Sequence, residues 1–371
     1  MKVKLWIIGW LMIVASGLML FGSWVYITDP FFHYHGPDLT KYCYLINNQR
    51  SQNIGIIRNF EYDAMITGTS MVENFKSSEM DEVFGCKSIK VPFSGCSYKE
   101  VNDNIEAALR YNSNLKIVVR GLDMEKFFLP ADSMREDLGE YPTYLYDNNV
   151  FNDVKYLLNR DIVFGRSYNM LLDHADGYEP WMTSFDEYSR WQDEATFGIG
   201  TVAPDGVHYS RPTEELHLAD EERARIKESI EQNVIKIADK YPDVAFYYFY
   251  TPYSAVWWCE QANEGMLFKQ LEAEKYITEL IIPHKNIHLF SFNNRTDITT
   301  DINNYMDPIH YGEWINSMML RWMYDDKYRL TEDNYEEYVN EEFNFYTRFD
   351  YSSLNGQDDY EDDQKAANIR Y

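Results

Sequence analysis

The sequence predicts an α/β protein in which a mostly parallel β-sheet lies between two layers of helices, behind one N-terminal membrane helix. Two observations predict this class. From Tyr62 onward, short apolar runs alternate with longer amphipathic runs, which is typical of parallel strands joined by crossover helices. Residues Leu5–Ile27 contain no charged side chain over 23 positions, which is typical of a helix that crosses a bilayer.

The apolar run Leu5–Ile27 predicts an uncleaved membrane anchor. A helix of this length spans about 35 Å, which is enough for the hydrocarbon core of a bilayer. Lys2 and Lys4 precede it, so the N-terminus is expected in the cytoplasm and the rest of the chain outside, in a single-pass cell-membrane protein. The alternative is a cleaved signal peptide, but the run is long for one. Aromatic residues near both ends have the spacing of an interfacial belt: Trp6, Trp10, Trp24 and Tyr26.

The expected organisation has four parts. Residues 1–28 form the anchor, 29–60 a connector, 61–330 the α/β domain and 331–371 an acidic, tyrosine-rich tail. Residues 121–211 interrupt the strand–helix alternation and predict an insertion or lid. The tail has 12 acidic against 3 basic residues, which favours a solvated or disordered segment. The alternative is that part of it packs through its aromatic residues, Tyr335, Tyr338, Phe343, Phe345 and Tyr346.

Five candidate strands alternate with five candidate helices. The strands are Ala64–Thr67, Ser88–Val91, Lys116–Arg120, Val244–Tyr250 and Ile287–Phe290. The helices are Ser77–Phe84, Tyr98–Tyr111, Pro212–Lys240, Ala262–Ile282 and Tyr311–Tyr328.

The net charge of the chain argues against two classes of binding partner. With 34 basic and 60 acidic residues, the net charge is −26, which argues against binding nucleic acid and against docking on anionic lipid by charge. His33 and His35 stand at i, i+2 in the connector, but no Cys, Asp or Glu cluster completes a metal site there.

The four cysteines leave two possibilities open. None of Cys43, Cys86, Cys96 and Cys259 forms a Cys-x-x-Cys pair. Outside the cell two disulfides are possible, and Cys86–Cys96 is the first pair to test. Four buried free thiols are the alternative.

A candidate nucleophile follows the first strand. Gly68-Thr69-Ser70 turns the chain sharply after Ala64–Thr67, so the Ser70 hydroxyl is expected at the carboxyl end of the sheet, where such folds place their chemistry. The alternative is that Ser70 only caps a turn or helix. The backbone N–H of Ser70 and that of Gly95, which follows the second strand, are candidate oxyanion donors.

A serine hydroxyl needs a base, and that base needs an orienting acid. Asp307 and His310 are three residues apart, after the last strand, and are expected on the same sheet edge as Ser70. The alternative is that they cap the following helix. Asp205 and His208 have the same spacing but lie in the insertion, and the adjacent pair Asp173-His174 is interpreted as surface.

These stretches resemble the SGNH/GDSL hydrolase superfamily. The residues that carry the resemblance are Gly68-Thr69-Ser70-Met71, Gly95 and Asp307-Pro308-Ile309-His310. The chain is similar in particular to membrane-anchored bacterial members in cell-surface polysaccharide loci, and distantly to the D-alanyl transfer protein type. The resemblance implies a flavodoxin-like sheet, Ser70 as nucleophile, Gly95 as oxyanion donor and Asp307 and His310 as the rest of a triad.

One departure from the family pattern stands at the third strand. The family's third block is usually Gly-x-Asn-Asp, whose Asn completes the oxyanion hole, whereas this chain has Arg120-Gly121-Leu122-Asp123. Either another donor serves, or activity is weak or lost.

The expected function is an extracytoplasmic serine esterase or O-acyltransferase that acts through an acyl-enzyme on cell-surface polysaccharide esters. This chemistry requires no metal or other cofactor. The alternative is an inactive scaffold or glycan-binding protein on the same fold. The acyl group, the acceptor and the oligomeric state stay open.

Overall fold

The protein is described by a computed structural model that covers residues 2–178 and 184–360. The chain divides into two compact units. The first combines residues 2–61 with the described part of 136–188, and the second combines 62–135 with 189–360. This division differs from the expected one, because part of the expected insertion folds together with the expected connector.

The second unit contains a six-stranded sheet flanked by helices. Its strands are β1 Ala64–Gly68, β2 Ser88–Pro92, β3 Ile117–Leu122, β4 Ala245–Tyr250, β5 Ile287–Ser291 and β6 Arg329–Leu330. The spatial order is β2-β1-β3-β4-β5-β6, in which β6 is antiparallel to β5 and all other neighbours are parallel. The order 2-1-3-4-5 is that of doubly wound sheets of the flavodoxin type, and it reverses direction between β1 and β3.

The helices vary from single turns to 27 residues. In chain order they are α1 Lys2–Thr28, α2 Gln49–Asn59, α3 Ser77–Phe84, α4 Tyr98–Tyr111, α5 Thr143–Tyr146, α6 Val154–Leu157, α7 Arg160–Ile162, α8 Tyr168–Ala175, α9 Ile199–Val202, α10 Asp220–Ile230, α11 Lys236–Lys240, α12 Ala255–Asn263, α13 Leu267–Ile281, α14 Thr296–Thr299, α15 Glu313–Tyr324 and α16 Tyr335–Tyr346. Two π-helical segments, Val163–Ser167 and Glu231–Ile235, join α7 to α8 and α10 to α11.

The register of the sheet brings three strand ends to one edge. Gly68 at the end of β1 pairs with Pro92 at the end of β2, and Thr67 pairs with Arg120 of β3. All five residues of β1 and all five of β2 are buried, which is expected of parallel strands covered on both faces. The loops after β1, β2 and β3 therefore leave the sheet side by side.

Helix boundaries follow local signals closely. Helix α4 has the predicted bounds, and its N-terminus is a capping box in which Ser97 and Glu100 each bond the other's backbone N–H. The predicted helix Ala262–Ile282 is instead two helices that break at Gly265. Gly265 has φ +72°, and a Cβ there would lie 2.1 Å from the Glu214 carbonyl oxygen, so glycine is required.

The first unit begins with a helix that is long and apolar enough to cross a membrane. An 18-residue stretch within Val3–Thr28 has a mean hydropathy of 2.1. At its end the buried Asp29 carboxylate accepts backbone N–H bonds of 2.7–2.9 Å from His33, Tyr34 and His35, and an O–H bond of 2.8 Å from Tyr156. Burial raises the pKa of Asp29 although these bonds oppose the rise. Asp29 thus attaches the C-terminal end of α1 to the rest of the first unit through these hydrogen bonds.

The expectation of a solvated tail is wrong for much of residues 331–360. Helix α16 buries Val339, Glu342 and Tyr346, and the Tyr346 hydroxyl donates to Asn293 O and contacts Thr299 Oγ1, both at 2.9 Å. The acidic composition misled the prediction because most acidic residues of α16 lie on its exposed face, where they do not prevent the helix from packing. Residues 361–371 of the expected tail lie outside the described part of the chain.

The structure has no bond between Cys86 and Cys96, and none of the four cysteines, which all lie in the described part of the chain, forms a disulfide. Cys86 precedes β2 and Cys96 follows it, so a five-residue strand of about 17 Å separates them. A disulfide needs Cα atoms within about 7 Å. Cys43, Cys96 and Cys259 are buried, as the free-thiol alternative expected.

Two buried carboxyl groups, Glu274 on α13 and Glu342 on α16, predict that the stability of the fold depends on pH. Burial raises the pKa of Glu342 to about 7, and burial together with the charge of Glu342 raises the pKa of Glu274. The native state then binds more protons than the unfolded state above about pH 4.5, so the free energy of unfolding falls as pH rises through 7. We expect Glu342→Gln to reduce this fall without abolishing it, because Glu274 stays buried and keeps a raised pKa.

The measurement is thermal unfolding of the full chain in detergent at pH 5 and pH 8. Glu337→Gln is the matched control, because it makes the same charge change at an exposed position of the same helix. Equal pH dependence in wild type and Glu342→Gln would contradict the prediction.

Candidate active site

Ser70 stands on a tight turn directly after β1. Gly68 has φ +152°, and a Cβ there would lie 2.9 Å from Val72 Cγ1, so the turn requires glycine. Thr69 caps the turn by accepting the Met71 N–H at 3.3 Å, and the single 3₁₀ turn Ser70–Val72 follows. Ser70 itself is half-buried, so its hydroxyl is both supported and accessible.

Asp307 and His310 share a closed loop between β5 and α15. Tyr305 and Tyr311 form an isolated antiparallel bridge that closes the loop, and the Met306 N–H donates to the His310 carbonyl at 3.0 Å. Inside the loop, Asp307 Oδ1 accepts the backbone N–H of His310 at 2.8 Å and the backbone N–H of Ile309 at 2.9 Å. The loop thereby fixes the carboxylate against the imidazole that follows it.

The three predicted side chains form a continuous hydrogen-bonded relay. His310 Nε2 lies 2.7 Å from Ser70 Oγ, and His310 Nδ1 lies 2.7 Å from Asp307 Oδ2. A proton on Nδ1 directed at the carboxylate leaves Nε2 free to accept the serine proton. This is the geometry that a serine nucleophile with a general base requires.

Further contacts tie the two loops together across 240 positions of the chain. The carbonyl oxygen of Met71, next to Ser70, accepts the Tyr311 hydroxyl at 3.4 Å and the Asn316 amide at 3.2 Å. After β4, Ser254 donates its hydroxyl to the Pro308 carbonyl at 2.7 Å. The relay is therefore held from both sides and does not depend on its own hydrogen bonds alone.

Asp307 and His310 shift each other's pKa in opposite directions. Burial lowers the pKa of His310, but the hydrogen bond and charge of Asp307 outweigh burial, so the net direction is upward. For Asp307 burial raises the pKa, but the hydrogen bond and charge of His310 outweigh it and the net direction is downward. Asp307 thus stays ionised and stabilises an imidazolium on its partner.

Gly95 follows β2, beside the turn that carries Ser70. The Phe93 N–H donates to the Gly68 carbonyl at 2.8 Å, which joins the two turns. Gly95 is exposed with φ +66°, and a Cβ there would lie 3.1 Å from Arg135 Nη1. The same guanidinium donates to the Ser94 carbonyl. Sequence reasoning missed this arginine, because it lies in a segment with no periodic pattern.

Asp123 supports the turn from β3. It is buried, and its carboxylate accepts the Thr69 hydroxyl at 2.9 Å and the Tyr253 hydroxyl at 3.3 Å. Burial raises its pKa, and the Thr69 bond opposes the rise. The preceding Leu122 is fully buried and has no side-chain donor, so this stretch offers no Asn amide to the site.

Trp191 forms a wall beside the relay, which sequence reasoning also missed. Its ring lies edge-to-face with the His310 ring at a centroid distance of 5.6 Å, and its indole N–H points to the Ser70 carbonyl at 3.5 Å. The Asn74 side chain accepts the Trp191 backbone N–H at 3.1 Å. The adjacent Arg190 donates to Glu313 at the start of α15 at 2.7 Å, so this wall is anchored.

The competing residue pairs do not form such a relay. His208 Nε2 contacts the backbone carbonyl of Asp205 at 2.9 Å instead of its carboxylate, and Asp173-His174 lies on α8 in the first unit. Of the connector histidines, only His33 contacts a carboxylate, that of Asp153 at 3.4 Å. Within residues 2–178 and 184–360, no three His, Cys, Asp or Glu side chains are grouped to hold a metal ion.

Comparisons with known proteins add little to this geometry. No family model and no curated protein matches the chain. A solved structure described provisionally as a platelet activating factor from Streptococcus pneumoniae resembles it with a TM-score of 0.34 at 10% identity, over 79% of this chain and 91% of that chain. At that TM-score the likeness supports no statement about fold or function.

The relay predicts the titration of His310. Because the Asp307 carboxylate raises the pKa of the imidazole, we expect Asp307→Asn to lower that pKa. The measurement is NMR titration of a protein labelled at its histidine carbons. Asp205→Asn, which changes the other Asp-x-x-His pair, should leave the titration of His310 unchanged. An unaltered His310 titration in Asp307→Asn would contradict the relay.

Proposed function

We propose that this protein is a membrane-anchored serine hydrolase or O-acyltransferase of the SGNH type that acts through an acyl-enzyme on esters of cell-surface polysaccharide. The observation that carries the proposal is the relay from Ser70 through His310 to Asp307, with both links at 2.7 Å. The strand order and the position of Ser70 after β1 support it, because open α/β sheets bind substrates outside the carboxyl ends of their strands.

In the first half of the reaction, Ser70 Oγ attacks the ester carbonyl while His310 Nε2 takes its proton. The oxygen of the tetrahedral intermediate receives hydrogen bonds from the Ser70 and Gly95 N–H groups. His310 then returns the proton to the leaving alcohol, and the acyl group stays on Ser70. Water or a sugar hydroxyl, deprotonated by the same imidazole, then releases the acyl group.

The position of Arg135 supports a replacement for the missing Asn donor. Its guanidinium lies against Gly95, and a fixed positive charge beside an oxyanion donor favours the charge that develops in the transition state. Under this proposal, Arg135 offsets the absence of the family's Asn donor.

Two features support a neutral glycan as the acyl carrier. The half-buried Trp191 presents an aromatic wall beside His310, and aromatic faces suit the apolar faces of sugar rings. The net charge of −26 disfavours a polyanionic polymer. The anchor would hold the site near such a polymer, with Lys2 and Lys4 favouring a cytoplasmic N-terminus.

The second candidate function is a scaffold or glycan-binding protein that keeps the fold without the activity. The observation that favours it is the end of the third strand, where Arg120-Gly121-Leu122-Asp123 has no Asn to serve as the family's third oxyanion donor. The two candidates differ in whether Ser70 is reactive.

We expect a fluorophosphonate probe to label the detergent-solubilised full chain at Ser70, and Ser70→Ala to abolish the label. Hydrolysis of a chromogenic acetyl ester should fall at least about a thousandfold in the same variant, because the nucleophile is lost. Ser210→Ala, at an exposed serine, is the matched control and should keep both activities.

Absence of both labelling and turnover, under conditions that label a control esterase, would contradict the enzyme and favour the scaffold. Labelling at another serine with Ser70 unmodified would contradict the assigned nucleophile.

A further inference from the structure

The first unit exposes apolar side chains beside the C-terminal part of α1. They lie on the turn before α6, on α6 and on the π-helical segment Val163–Ser167, and the exposed fraction reaches 89% for Phe151 and 71% for Val150. We call this set the apolar face: Val150, Phe151, Val154 and Phe164. Isolated exposed apolar residues are normal, but a contiguous group of large ones marks a surface that binds something.

The apolar face is continuous with the candidate membrane helix. Helix α6 and the π-helical segment Val163–Ser167 both contact α1. Leu157 and Leu158 lie within 4 Å of where a Cβ of Gly22 would be, and the Phe164 ring lies edge-to-face with that of Phe21 at 5.7 Å. A groove of about 870 Å³ runs between the two, lined by α1 residues from Leu18 to Ile27 and by residues 150–158.

The position of these contacts along α1 indicates whether lipid or water surrounds the segments that pack against the helix. Gly22 is about 8 Å before the end of the uncharged run at Ile27, and Leu18 is about 14 Å before it. If the whole first unit stayed in water, only Leu5–Leu18, about 21 Å of helix, would be left for the membrane. The hydrocarbon core is about 30 Å thick, so that stretch is too short to cross it.

We propose that the apolar face lies in the bilayer leaflet next to the folded part of the chain, and that lipid acyl chains cover it and fill the groove. The immersion follows from the packing, because segments attached to α1 at Phe21 and Gly22 are at the depth of those residues. An immersion of about 8 Å is within the range of interfacial helices. The chain is then held in the membrane by one spanning helix and one embedded face.

The inference uses the membrane insertion of α1 but not the chemistry of Ser70, so it can fail while the proposed enzyme stands. Attraction to lipid headgroups by charge has no part in it. Embedding through apolar contact is compatible with the strongly negative chain, because the apolar face itself has no charged member.

The test is spin-label accessibility of the full chain in nanodiscs that hold one copy. The background is Cys86→Ser, since the other three cysteines are buried. Phe151→Cys and Val154→Cys report the apolar face, Leu11→Cys reports α1, and Tyr324→Cys, at an exposed site of the second unit, is the control in water. Each label is relaxed with apolar oxygen and with a water-soluble nickel chelate.

The expected result is that labels at positions 151 and 154 collide preferentially with oxygen, as position 11 does, while position 324 collides preferentially with the chelate. Chelate access at 151 and 154 with position 11 immersed would overturn the inference. Low access to both relaxers there would also overturn it, because protein would then cover the face. Chelate access at position 11 would remove the membrane helix, and the inference with it.

Discussion

The imidazole of His310 is the contact on which the functional account depends. It bonds a serine on one side and a carboxylate on the other, and these belong to loops that lie 240 positions apart. Neither hydrogen bond is strong enough to assemble the loops by itself, since a typical bond contributes about 1 kcal/mol net. The fold must therefore bring the loops together first.

The sheet and one backbone carbonyl achieve this assembly. The parallel register of β1 and β3 directs the Ser70 turn to the same edge as Asp123, which holds the turn through Thr69. The Met71 carbonyl then takes hydrogen bonds from the segment that follows His310. Unbonded, that buried carbonyl would cost about 1–3 kcal/mol, so its partners stabilise this arrangement of the two loops over others.

Local patterns predicted some elements well and non-local contacts defined the rest. Helix α4 has an amphipathic stripe and its own cap, so its bounds could be read from the sequence. The Asp-x-x-His spacing and its place after the last predicted strand favoured His310 over His208, and in the structure His310 is the histidine that bonds Ser70. The aromatic residues of the tail indicated that part of it could pack, but the bounds of α16 could not be predicted, because its buried Glu342 and Tyr346 find their partners on distant elements. Trp191 lies in a segment without periodicity, and only its contact with His310 identifies it.

The most direct measurement of the central claim is rapid-quench peptide mass spectrometry of the full chain during turnover of an acetyl ester. The account predicts an acetyl group on the peptide that contains Ser70, formed faster than it is released. His310→Ala should form this adduct far more slowly. Ester consumption without an adduct on Ser70, or with the acetyl group on a different residue, would contradict the account.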